Sequence, residues 1–150
     1  MSKIIFTKNG FEKLKNDYEG LVESRPFVVA DLKKAREMGD LSENGYYRAA
    51  KFKLSDIDRN IRRCSYLIKS AQVVSSSQKD FVGIGSRVKL IIGNSEKNYQ
   101  IVGEYEANPG DGKISHLSPI GKALIGKRSG EIVKIESPSG QTEISIKQIL

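Results

Sequence analysis

Two stretches of this chain repeat apolar residues at alternating steps of three and four, and only a short turn separates them. Such steps keep one side of a helix against a partner helix, which commits this half of the chain to a coiled coil. The first seam is Phe11, Leu14, Tyr18, Leu21, Arg25, Val28, Leu32 and Ala35; the second is Tyr47, Ala50, Leu54, Ile57, Ile61, Cys64, Ile68 and Ala71. Gly39 stands where a helix C-terminus favours positive φ, and Asp40 or Ser42 is placed to cap the next helix. The pattern predicts an antiparallel hairpin with its tip near residues 39–44. Pro26 falls inside the first arm and removes one helical hydrogen bond, so a bend or local interruption is expected after Arg25, with the heptad phase continuing beyond. Thirty helical residues reach about 45 Å.

Past Val74 the helical period stops at Ser75-Ser76-Ser77-Gln78-Lys79, a polar linker. The period then becomes two: Val82, Ile84, Val88, Leu90 and Ile92 alternate with other residues, as do Tyr99 with Ile101 and Ile144 with Ile146. Gly93-Asn94, Pro109-Gly110-Asp111-Gly112 and Pro138-Ser139-Gly140 supply turns. Ser118-Pro119 opens a short helix that closes at Gly126, with Ile120, Leu124 and Ile125 as its core residues. The expected organisation is a coiled-coil hairpin over 1–74, a linker over 75–79 and a small α+β domain over 80–150.

Of the 150 residues, 38% are hydrophobic, with no run long enough to span a membrane and an N-terminal segment too short in its apolar part for a signal peptide. A soluble, cytoplasmic monomer is expected. The lone cysteine, Cys64, sits on the second seam as a small apolar filler, which removes disulfides and thiolate metal sites from consideration. The net charge of +7 is unevenly placed. Residues 1–79 hold sixteen basic side chains against ten acidic, whereas residues 80–150 hold nine against eight. The second arm is the most basic part.

Asp40 and Glu43 have two readings. Their spacing is that of a capping box, in which the Asp accepts from helix N-terminal amides and the Glu reaches back. Two carboxylates on an exposed turn are also hard oxygen ligands for Mg²⁺, too few to hold it alone and in need of further ligands from whatever the hairpin enters. Leu41 at the tip is either a staple contact or a contact with that partner. Arg48, Lys51, Ser55, Arg59, Arg62 and Lys69, with Arg63 beside them, form a stripe next to the seam. A solvated face explains any charge run, but this one lacks the alternating signs of a solubility face and suits phosphate contacts. Tyr46, next to seam residue Tyr47, can stack on a base. His116 is the only histidine and has no metal-ligating company, and Gly83-Ile84-Gly85 opens no helix, so neither is a catalytic signal. Nothing in the chain adds up to a self-sufficient active site.

These segments together resemble the Gre family of bacterial transcript cleavage factors along nearly the whole chain. The similarity lies in Thr7-Lys8, Gly10-Phe11 and Lys13-Leu14, in Arg25-Pro26, and in the tip signature Ala35-Arg36-Glu37 with Gly39-Asp40-Leu41-Ser42-Glu43-Asn44, Tyr47 and Ala49-Ala50-Lys51. It continues in Ile101-Val102-Gly103 and in Ser118 to Lys127, followed by Gly130-Glu131. Leu41 and the Ile101 to Glu104 region look like the GreA type; Ile57-Asp58-Arg59 and the basic second arm look like GreB, and the balance favours GreA. The resemblance implies a hairpin that enters the secondary channel of RNA polymerase, and an FKBP-like C-terminal domain at the channel rim. It also implies that Asp40 and Glu43 help the polymerase's own centre hold Mg²⁺ and cleave backtracked RNA near its 3′ end, so the chain stimulates an enzyme without being one. Arg48, Lys51, Arg59, Arg62 and Arg63 would then meet the RNA, and Leu41, Ser42, Ser118 and Pro119 the polymerase. The remaining alternatives are an anti-cleavage channel binder and a polymerase-independent nucleic-acid-binding coiled coil with an isomerase-like module.

Overall fold

The computed structural model describes residues 3–39, 44–75 and 79–150, apart from the side chain of Ser137. They form two compact units, Glu12–Ser70 and a second made of Ala71–Leu150 with the N-terminal segment up to Phe11.

The first unit is the expected hairpin. Helix α1 runs Lys8–Arg36 and helix α2 runs Gly45–Ser70. Leu14, Val28 and Ala35 of α1 are buried, as are Ile57, Cys64 and Leu67 of α2, and most other seam positions are half-buried. Burial pushes the Cys64 thiol up from its ordinary value, as expected of an inert filler. Two details differ from expectation. Helix α1 is continuous through Pro26, because the carbonyl that Pro26 leaves without an amide belongs to Val22, on an exposed turn of the helix. Arg25 is an exposed link between the arms, not a buried seam residue. Its Nε donates to Asp58 Oδ1 at 2.6 Å and its Nη2 to Oδ2 at 3.3 Å. This two-pronged pair links α1 to α2 across the hairpin.

The second unit has strands at both ends of the hairpin sequence. Strand β1 (Ile4–Phe6) pairs in parallel with β2 (Ala71–Val73), Ile4 opposite Ala71. These segments, expected as parts of the hairpin, are extended. The larger sheet contains β3 (Arg87–Ile92), β4 (Ser95–Val102), β5 (Lys113–Ser115), β6 (Ile132–Ser137) and β7 (Gly140–Ile149) in the order β5-β4-β3-β7-β6. Its inward side chains, among them Val88, Leu90, Ile101, Ile144 and Ile146, pack with Val82 and with Leu124 of the short helix α3 (Pro119–Leu124). Val82 is buried without belonging to a strand: its amide and carbonyl bond the backbone of Lys127 and Gly126.

Glu106 joins the two sheets of this unit. Its carboxylate, on a 3₁₀ turn after β4, accepts from the Thr7 amide at 2.8 Å, from the Gly103 amide at 3.0 Å and from the Thr7 hydroxyl. The Thr7 hydroxyl in turn accepts from the Gly10 amide in the first turn of α1. A carboxylate at a helix N-terminus is electrostatically favourable. Helix α1, which has no acidic residue in its own first turn, receives one from 99 positions away.

Candidate functional site at the hairpin turn

The turn is built from both of its sides. At the end of α1, Met38 donates to the Ala35 carbonyl at 3.1 Å, and Gly39 takes the expected positive φ of 128°. At the start of α2, the Asn44 side-chain oxygen accepts from the Tyr47 amide at 3.1 Å, while the Arg48 amide bonds the Asn44 carbonyl. Asn44 is therefore the N-cap and Tyr47 is the third helical residue. The other end of the same side chain, Nδ2, donates to the Ala35 carbonyl at 2.6 Å, tying the end of α1 to the start of α2.

This corrects the expected cap. Neither Asp40 nor Ser42 occupies the N-cap of α2, and a capping box on this helix would need its acid at Tyr47, not at Glu43. Asp40, Leu41, Ser42 and Glu43 themselves lie outside the described residues. Tyr47 is half-buried under two cations, with the Arg36 guanidinium 5.8 Å and the Lys51 ammonium 6.0 Å from its ring centre. Tyr46 is 72% exposed.

The basic residues singled out on α2 are all on the surface. Arg48, Lys51, Arg59, Arg62 and Arg63 are exposed, as are Ser55 and Lys69. Arg59 Nη1 lies 3.4 Å from Asp56 Oδ1, so part of its charge is matched locally. The Asp58 carboxyl is held below the ordinary carboxylate range, first by its hydrogen bond from Arg25 and also by the charges of Arg25 and Arg62. That cross-arm pair was the site feature the sequence reading missed. Its signal was an arginine at a seam position, facing an arm with few acids.

Ser118 and Pro119 belong to the other unit. The Ser118 hydroxyl accepts from the Gly121 amide at 3.1 Å and donates to the Ser115 carbonyl at 2.7 Å, so it caps α3, while Pro119 is exposed at the first helical position. Leu124 is buried and Ile120 partly so, but Ile125 is exposed, contrary to expectation. His116 is half-buried, and among the described residues no three metal-ligating side chains gather.

Residues 4–73 match the family "Transcription elongation factor, N-terminal" and residues 77–150 match "Transcription elongation factor, GreA/GreB, C-term". The chain belongs to the GreA/GreB family of transcription elongation factors. It is 40% identical to the transcription elongation factor GreA of Nitratiruptor sp. over 95% of this chain and 90% of that protein. With the GreA of Nautilia profundicola the identity is 44%, over 99% of this chain and 95% of that protein. The solved structure of the transcription factor Gfh1 is 28% identical with 99% of each chain covered, at a TM-score of 0.49. The two family matches divide the sequence near the polar linker, and together they include the tip signature and the Ser118 motif.

Proposed function

We propose that this GreA/GreB-family factor binds RNA polymerase, carries Asp40 and Glu43 into its secondary channel and stimulates cleavage of backtracked RNA by the polymerase's own active centre. The observation that supports it is the Asn44 cap. With the N-cap of α2 filled by Asn44, whose side chain accepts from the Tyr47 amide, Asp40 and Glu43 are not the capping residues of that helix. Hard carboxylate oxygens fit Mg²⁺, which keeps several waters and shares its ligands readily. In such a site the metal ions stabilise the attacking and leaving oxygens of phosphodiester hydrolysis. The tip acids would add ligands and orient the attacking water. The exposed cations of α2 would hold the phosphates of the extruded strand, and Leu41, Ser42, Ser118 and Pro119 would touch the polymerase. Asn44, by joining the two helix ends, would present the tip as a preorganised unit, so less ordering is left for the moment of entry.

The test is a stalled, backtracked elongation complex with Mg²⁺, given the factor or buffer. The proposal expects short 3′ fragments to appear much faster with the factor, and none when the factor meets free RNA. Suppression of the basal cleavage would make the chain an anti-cleavage regulator, and hydrolysis of free RNA would make it a nuclease in its own right.

A further inference from the structure

Beyond Tyr46 in its first turn, α2 leaves two aromatic side chains in solvent: Phe52 is 71% exposed and Tyr66 is 53% exposed. Single exposed apolar residues are ordinary. Their positions are not. Arg48, Phe52, Arg59, Arg62, Tyr66 and Lys69 advance by four, seven, three, four and three, which places them on one heptad stripe, all exposed. The gap of seven between Arg62 and Lys69 in the basic stripe is filled by Tyr66, and Phe52, four residues after Arg48 and seven before Arg59, lies beside Lys51. The rings are about 21 Å apart along the helix at 1.5 Å per residue. No position of this stripe is acidic; of the two carboxylates of α2, Asp58 faces Arg25, and Asp56 borders the stripe against Arg59 and Asn60.

Cations alone would serve any polyanion. Flat apolar faces between them are useful to a strand whose bases are unpaired and free to lie on a ring, because every base has a π-face and stacking needs no particular sequence. We infer that Phe52 and Tyr66 are base-stacking platforms for single-stranded RNA, set between cations that hold its phosphates. The identity of that RNA as the extruded 3′ segment rests on the function proposed above; the stacking itself does not. The same face could not read a duplex, whose base faces are hidden in the stack.

The experiment uses the full chain and a fluorescent single-stranded RNA, with an abasic strand of equal charge as its control, at several salt concentrations. Wild type should bind the RNA more tightly than the abasic strand. F52L and Y66L should each weaken RNA binding about fivefold or more while leaving abasic-strand binding and the salt slope unchanged. R59Q/R62Q should weaken both strands and reduce the salt slope by about 1.4. Equal binding of the two strands by wild type, or RNA binding by F52L and Y66L equal to wild type, overturns the inference. If the same variants instead lose affinity for polymerase holding no extruded RNA, the rings face protein and the inference also fails. Failure of cleavage stimulation by wild type, with the stacking signature intact, would overturn only the proposed function.

Discussion

Asn44 makes two different bonds with one amide group, capping α2 through its oxygen and gripping the last turn of α1 through its nitrogen. N44A should cost about 1–2 kcal/mol in urea unfolding, and should slow cleavage stimulation more than it weakens polymerase binding, because it loosens the turn that presents the acids. N44D, which keeps the cap oxygen and loses the donor, should recover part of the stability. A second prediction concerns Asp58. Its carboxyl is lowered by Arg25, so the stability it contributes is present above the unfolded carboxylate value and is lost as pH falls through the lowered folded value. Melting temperatures of wild type and D58N should therefore differ most near neutral pH and converge only as pH falls through the lowered folded value of Asp58. A gap that stays constant with pH would show that the Arg25 pair does not act through the charge of Asp58. At this scale the sequence was only half readable. Gly39, Ser118 and Pro119 announced their roles by local spacing, whereas Asn44 was hidden behind two other good capping residues, Asp40 and Ser42, and Arg25 with Asp58 required knowing how the arms align.

Among the elements, the two helices were the most legible because their period persists over many turns. Their ends were not. The seam pattern named Ile68 and Ala71, but Leu67 and Ser70 are the buried residues there, because the chain leaves the helix at Ser70 and continues as a strand at Ala71. Val82 and Ile84 alternate as a strand would, yet Gly85 at φ 93° turns the chain before β3 begins at Arg87. The stripe on α2 gives a prediction at this scale. R59E/R62E should keep the helical circular dichroism of wild type but rescue arrested complexes poorly, with a weaker dependence on salt. Unchanged rescue would return the stripe to a solvated face.

For the whole molecule, the helical hairpin followed by a β-rich domain was evident from the switch of period from 3.6 to 2. The parallel pair β1-β2 was not, because three-residue strands 67 positions apart leave no periodic trace. The same is true of Glu106, whose bonds to Thr7 join segments distant in sequence. Gly103 lies at this junction, and a Cβ there would run into the carbonyl of Ile5. G103A should therefore destabilise the β1-β2 unit by about 1–3 kcal/mol, lowering the melting temperature of that unit; an unchanged temperature would contradict the close packing.

Central to the account is that the tip acids serve polymerase chemistry and not the hairpin's own fold. The most direct measurement is the rate of Mg²⁺-dependent 3′ fragment release from backtracked complexes given wild type, D40N or E43Q, with polymerase occupancy measured by competition in the same samples. Loss of stimulated cleavage in both variants at full occupancy, with melting temperatures like wild type, is the predicted result. Cleavage at the wild-type rate, or cleavage lost only in step with folding, would contradict it.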